Sequence, residues 1–242
     1  VNIYVVGGAG AGKTTLSRRL SSHLSCPYVN LDPATPQEGA DFDVRAHVRT
    51  EDIMKQYDLG INGALLRSME VISSSFSRIA DEICALGDFK VIDTPGQLEV
   101  FLHGDAARRI MEHTARCGAN VLLHVVDASM CRTFEGFLAA FALTLFVEMR
   151  LETAGIVVFT KSDLLAPGDR EHILTLCSPE GFEEAARARG DFTGGFALSM
   201  REFLSYLSIT SRPLLVSAVT GEGLEELIDL LHEVQCSCGD LT

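Results

Sequence analysis

Six short apolar runs punctuate the 242-residue chain. They are Ile3 to Val6, Tyr28 to Leu31, Phe89 to Ile92, Val121 to Val126, Ile156 to Phe159 and Leu214 to Val216. Most are apolar throughout rather than alternating, the pattern of parallel strands covered on both faces. Helical periodicity fills the intervals, beginning with Leu16, Leu20 and Leu24, spaced as a core-facing stripe. This order predicts an α/β fold with a doubly wound, mostly parallel sheet. Such a sheet holds its ligand beyond the carboxyl ends of the strands. Two stretches interrupt the alternation. Residues 45–87 carry a helix over Glu51 to Tyr57, a glycine-rich break and a long helical run from Ala64 to Ala85. Residues 169–211 carry further helices, with breaks at Ser178-Pro179 and Gly194-Gly195. Both read as helical insertions on one domain spanning residues 1–242. The uncharged run from Phe137 to Val147 is closed by Glu135 and Glu148. It falls far short of the ~20 residues that span a bilayer, and reads as a buried helix.

Composition narrows the possible partners. With 20 basic and 33 acidic side chains the net charge is −13, which repels nucleic-acid backbone and anionic lipid. Neither non-specific nucleic-acid binding nor membrane association is expected. Seven scattered cysteines, an odd number, suggest reduced thiols and a cytoplasmic protein. The first strand begins almost at residue 1, leaving no room for a leader peptide. Cys236 and Cys238 form the one close pair; two ligands do not complete a tetrahedral metal site, so they read as a bland tail.

Chemistry concentrates where strands end. The first strand runs into Gly7-Gly8-Ala9-Gly10-Ala11-Gly12-Lys13-Thr14-Thr15, matching G-x-x-x-x-G-K-[ST]. Glycines let the backbone from Gly10 to Thr15 turn its N–H groups onto a polyphosphate, at the positive end of the following helix. Lys13 can reach the outer phosphates, and the Thr14 hydroxyl can ligate Mg²⁺. The fold is therefore that of a phosphate-loop NTPase. Phe89–Ile92 runs into Asp93-Thr94-Pro95-Gly96-Gln97. A carboxylate at a strand tip can hold the Mg²⁺, Gly96 leaves an N–H free for a γ-phosphate, and Gln97 could orient an attacking water. Ile156–Phe159 runs into Thr160-Lys161-Ser162-Asp163. The Asp163 carboxylate can accept from the two adjacent donors of guanine, which adenine lacks, while Lys161 lays its stem along the base. Leu214–Val216 runs into Ser217-Ala218, a small-residue turn whose N–H groups suit the guanine oxygen. Asp32, after Tyr28–Leu31, could meet the Mg²⁺ water shell or the attacking water, or cap a turn. Asp127 ends its strand and reads as structural; His124 within that strand reads as a satisfied core residue; Arg18 and Arg19 read as surface charge.

In this order the motifs resemble those of the phosphate-loop GTPases, and more narrowly the GPN-loop GTPases. The narrower likeness rests on Asn30-Leu31-Asp32-Pro33-Ala34, on Asp93 to Glu99, and on Gly60-Ile61-Asn62-Gly63 within the first insertion. It extends from the phosphate loop to about Ala218. It implies a homodimer in which each insertion reaches the partner's nucleotide, Asn62 pointing its amide at the phosphates. Gln97 and Asp32, with Glu99, would place the hydrolytic water. It also implies GTP hydrolysis to GDP with Mg²⁺, and a role in assembling protein complexes with a protein partner not identifiable from the chain. One position departs from the family pattern: Ile61 stands where the family has proline. Two alternatives from other classes are a phosphate-loop kinase, its insertions serving as lids, and a metallochaperone-type GTPase.

Overall fold

The computed structural model of the chain describes residues 1–153, 155–207 and 213–239, with side chains for all but 201–207 and 234–239. The side chains of Cys236 and Cys238 thus lie outside the described residues. Seven parallel strands form one sheet: β1 (Asn2–Gly7), β2 (Tyr28–Asn30), β3 (Phe42–Asp43), β4 (Lys90–Asp93), β5 (Asn120–Asp127), β6 (Gly155–Thr160) and β7 (Leu214–Val216). Their order is β3-β2-β4-β1-β5-β6-β7. β1 is central, its Val5 opposite Asp93 on one side and Leu123 on the other. The six apolar runs are thus strands, and the doubly wound reading holds. The edge strand β3 has two residues, too few to leave a periodic signal.

The helices are α1 (Lys13–Leu24), α2 (Thr50–Tyr57), α3 (Ile61–Ser74), α4 (Phe76–Cys84), α5 (Leu98–Phe101), α6 (Ala106–Thr114), α7 (Phe134–Leu151), α8 (Pro167–Cys177), α9 (Pro179–Arg189), α10 (Phe192–Leu207) and α11 (Leu224–Gly239). Alternate β1 residues face opposite layers, as the strand period requires. Ile3 and Val5 pack with Leu16 and Leu20 of α1 and Leu227 and Leu231 of α11. Tyr4 and Val6 share a core with Ile53, Leu65, Met69, Ile79 and Ile83 of the first insertion and Ile110 of α6. A third cluster joins Phe137 and Leu138 of α7 to Ile173, Phe182 and Ala197 of α8 to α10.

Four local expectations are corrected. The run from Ala64 to Ala85 is two helices, broken at Ser75 (φ −111°, ψ 12°); the triplet Ser73-Ser74-Ser75 is poor helix material whose hydroxyls compete for the backbone. The glycine-rich break is shorter than it reads, because Ile61, Asn62 and Gly63 already form the first turn of α3. The apolar α7 is not wholly buried: Phe137, Leu138, Val147 and Leu151 face the core, while Phe146 is 54% and Met149 71% exposed. Finally, Cys84 and Cys117 are joined by a disulfide with Cα atoms 5.7 Å apart, where free thiols were expected. Among the described residues, Cys26, Cys131 and Cys177 are free.

Candidate functional site: two residue clusters at the carboxyl edge of the sheet

The phosphate loop follows from the tight packing of β1 on β5. At Gly7 a Cβ would fall 2.2 Å from the Val125 carbonyl oxygen, so no side chain fits where the strand turns outward. Gly12 then adopts φ 91° to start α1. Lys13 is buried, and its Nζ donates to the carbonyls of Gly7 (2.9 Å), Gly8 (2.9 Å) and Gly96 (3.0 Å). It thereby joins the phosphate loop to the Asp93–Gln97 loop. Burial lowers its pKa, and the Asp93, Asp32 and Glu99 carboxylates oppose that shift. A cation so placed can take up charge developing on a phosphoryl group.

Asp93 ends β4 with 1% of its surface exposed. Thr14 Oγ1 donates to its Oδ2 at 2.6 Å, Tyr28 Oη to the same oxygen at 3.1 Å, and Ser17 Oγ to Oδ1 at 3.4 Å. Burial pushes its carboxyl above the usual carboxylate range; the Thr14 and Tyr28 hydroxyls and the Lys13 ammonium counter this. A hydroxyl and a buried carboxylate in direct contact, with no arginine between them, form a hard oxygen donor pair that fits Mg²⁺. Asp32 sits beside them, 8% exposed. Its Oδ1 accepts from Ala34 N at 2.9 Å and its Oδ2 from Gly96 N at 3.3 Å. The Gly96 N–H, free in the sequence reading, is thus engaged by Asp32.

The other candidates on this side stand apart from that network. Gln97 caps the start of α5, exposed, with its carbonyl accepting from Val100 N and Phe101 N. Glu99 is exposed in the first turn of α5, two residues on. Asn62 is exposed on the first turn of α3 and joins none of the hydrogen bonds linking Lys13, Thr14, Asp32, Asp93 and Gly96. His124 is buried, as expected, but not satisfied: its Nδ1 has no partner among the described residues. Burial, aided by the Lys13 charge, pushes its pKa down to about 4.

A second cluster of candidate residues forms where β5, β6 and β7 end. Thr160 ties the clusters together, its hydroxyl within 2.6 Å of the Ala11 carbonyl and 3.1 Å of that of Val126. Lys161 adopts φ 59°, a left-handed conformation unusual for a lysine. Its Nζ donates to Asp127 Oδ2 at 2.7 Å. Asp127 also accepts from Ser129 N and Oγ, and Lys161 and Ser129 hold its carboxyl below the usual range against the effect of burial. Asp163 is exposed beside the buried Ser162. Facing them, Ser217 N donates to the Glu222 carbonyl at 2.9 Å, closing a turn that carries the half-buried Ala218. The sequence reading missed Tyr28 and Thr160 as anchors and undervalued Asp127, although Thr160 and Asp127 each end a strand; Tyr28 starts β2 opposite Val91 and reaches Asp93 only through its hydroxyl.

A parallel sheet whose central strand opens into a glycine-rich loop and helix, with a lysine and a Thr–Asp pair at its mouth, defines a phosphate-loop nucleotide-binding protein. A family model described as "Conserved hypothetical ATP binding protein" matches residues 5–237. Over 256 residues the chain is 32% identical to the GPN-loop GTPase PAB0955 of Pyrococcus abyssi, with 99% of each covered. It is 30% identical to GPN-loop GTPase 1 of Saccharomyces cerevisiae, over 96% of this chain and 65% of that protein. The crystal structure of PAB0955 in its apo form superposes with a TM-score of 0.89 at 28% identity, covering 98% of both chains. The chain belongs to the GPN-loop GTPase family.

Proposed function

We propose that this protein binds GTP and hydrolyses it to GDP and phosphate, acting as a homodimer whose nucleotide state is read by a protein partner. The observation that carries the reading is the joining of two clusters at one sheet edge. The first is Lys13, Thr14 and Asp93, built for a metal-bound polyphosphate; the second is Lys161, Asp163, Ser217 and Ala218, suited to a guanine base. Thr160 bridges them through the Ala11 carbonyl. The names of the relatives support the guanine assignment, although the description of the family model says ATP.

Thr14 and Asp93 would hold Mg²⁺, which supplies charge neutralisation at the phosphate oxygens. The chain's own groups then act by position and charge. Lys13 draws charge from the transferring phosphoryl group. Gln97 orients the attacking water from an exposed cap at the start of α5. Asp32, already bonded to Gly96 N, couples the water's site to the loop that meets the γ-phosphate. Glu99 adds a third carboxylate, after Asp93 and Asp32, near Lys13. Asn62 acts across the dimer on the partner's nucleotide, and an assembly role for protein complexes follows from the family resemblance alone.

The test is titration of the protein with GTP, ATP and xanthosine triphosphate. GTP is expected to bind at least tenfold tighter than ATP, and Asp163→Asn to move preference toward xanthine. Equal affinity for GTP and ATP would sink the guanine assignment. Sizing the protein with GDP and with a non-hydrolysable GTP analogue tests the dimer; a monomer in both states removes the role of Asn62 in trans.

A further inference from the structure

The two loops assigned to the base leave neighbouring strands, Thr160 of β6 lying opposite Val216 of β7, and beyond the sheet one side chain bridges them. The Ser217–Gly223 turn is closed by its own backbone: Ser217 N donates to the Glu222 carbonyl at 2.9 Å and Gly221 N to the Ser217 carbonyl at 2.9 Å. The Glu222 carboxylate leaves that turn and crosses to the other loop. It accepts from Ser162 Oγ at 2.7 Å and pairs in a fork with Arg170, with Nη2 to Oε2 at 2.9 Å and Nη1 on Oε1. Arg170 Nη2 also donates to the Ser162 carbonyl at 2.7 Å. Ser162 is wholly buried and stands between Lys161 and Asp163. Both its hydroxyl and its carbonyl are therefore bound by the same ion pair.

We propose that Glu222 and Arg170 are positioning residues that set the distance between Asp163 and the Ser217–Ala218 turn, and thereby govern how long a guanine nucleotide stays bound. The inference rests on the reading of those two loops as the guanine site. The alternative is an ordinary surface ion pair that only fastens α8 to the domain. Exposure weighs against a stabilising role: the Glu222 and Arg170 side chains are 41% and 30% exposed, and pairs in that setting add little to folding. The geometry also exceeds what fastening needs, because the bonds to Ser162 fix the residue between the two base readers. Arg170 and Ser162 together hold the Glu222 carboxyl down at about 2, so the clamp keeps its charge at all pH values where the protein would work.

The test is stopped-flow release of GDP labelled on the ribose, so that the base is untouched. Bonds to a charged acceptor are strong enough that Glu222→Ala and Arg170→Met are each expected to speed release about tenfold. The association rate stays the same, and the unfolding temperature of nucleotide-free protein moves little. Glu222→Gln keeps an acceptor for Ser162 Oγ and gives an intermediate rate. The double variant Glu222→Ala with Arg170→Met releases GDP no faster than Glu222→Ala alone, because the two act as one unit. GTP-over-ATP preference falls along with residence time, which a mere fastener would leave unmoved. Should Glu222→Ala fail to fold, Glu222→Gln and Arg170→Met carry the comparison. Release rates within twofold of wild type in a guanine-selective protein overturn the clamp alone. A wild-type protein indifferent between GTP and ATP overturns the guanine reading, and the clamp with it.

Discussion

Ile61 occupies the position where the family has proline, and the structure says what restoring that proline does. Ile61 is the first residue of α3, with Gly60 as its cap and Ala64 N donating to the Gly60 carbonyl at 2.9 Å. A helix makes no internal use of the N–H at its first position, so proline forfeits no hydrogen bond there and its fixed φ suits the turn. Proline also restricts the residue before it to extended or polyproline conformations. Gly60, at φ −67° and ψ 166°, already has one. The Ile61 side chain is 51% exposed, so its removal opens no cavity. Ile61→Pro should therefore stabilise the protein by about 0.4–1 kcal/mol, by narrowing the unfolded ensemble. For a chain of this size that raises the unfolding temperature by roughly 1–4 °C. Differential scanning calorimetry at matched protein concentration measures the shift, and sizing by light scattering reads the oligomer in parallel. Destabilisation by more than ~1 kcal/mol, or a change of oligomeric state at unchanged fold, would refute the reasoning. It would mean that the isoleucine side chain does work in this chain that the family's proline does not.

Three further outcomes follow from the same geometry. Asp127→Asn removes the charge that holds Lys161 Nζ at 2.7 Å and φ 59°; left-handed backbone is unfavourable by about 1–2 kcal/mol for a non-glycine residue, so calorimetric GDP affinity should fall about tenfold, and an unchanged Kd would show that the loop backbone alone holds Lys161. Tyr28→Phe deletes a donor to the buried Asp93 carboxylate and should lower urea-unfolding stability by about 1.5–3 kcal/mol, a loss below ~0.5 kcal/mol counting against it. Glu148 accepts from Gly155 N at 2.9 Å, and burial raises its carboxyl to about 7. The folded state then binds more protons than the unfolded chain between about 4.5 and 7, so this group's contribution is greatest below 4.5 and declines as pH rises to 7. Glu148→Gln should thus be near neutral at pH 4.5 and stabilising by at most about 3 kcal/mol at pH 8; a pH-independent difference would contradict the shift.

What could be read along the chain, and what could not, divides by sequence distance. The strands were legible because parallel strands covered on both faces stay apolar residue after residue, and the phosphate loop because its function needs glycine, lysine and threonine at fixed local spacing. Asp93 and Asp163 could be singled out because Asp93 terminates such a strand and Asp163 lies in the loop that follows one, where this fold presents its ligand groups. Features made by distant partners left no comparable trace. Cys84 and Cys117 are 33 residues apart in a pattern that carries no disulfide spacing. Glu222 meets Ser162 and Arg170 across 60 and 52 residues, and in sequence it is only one more acid in a chain with 33. Asp127 is the intermediate case. Its place at the end of β5 was visible, but its role depends on the adjacent β6, whose Thr160 lies opposite it and whose next residue is the Lys161 it holds. Residues that touch a ligand are recruited by local backbone geometry, and so they recur as motifs. Residues that position them need only reach across the fold, and many side chains at many positions can do that. The Lys161–Asp163 loop therefore had to be seen folded before the contacts of Glu222 and Arg170 with Ser162 could be distinguished from ordinary surface charge.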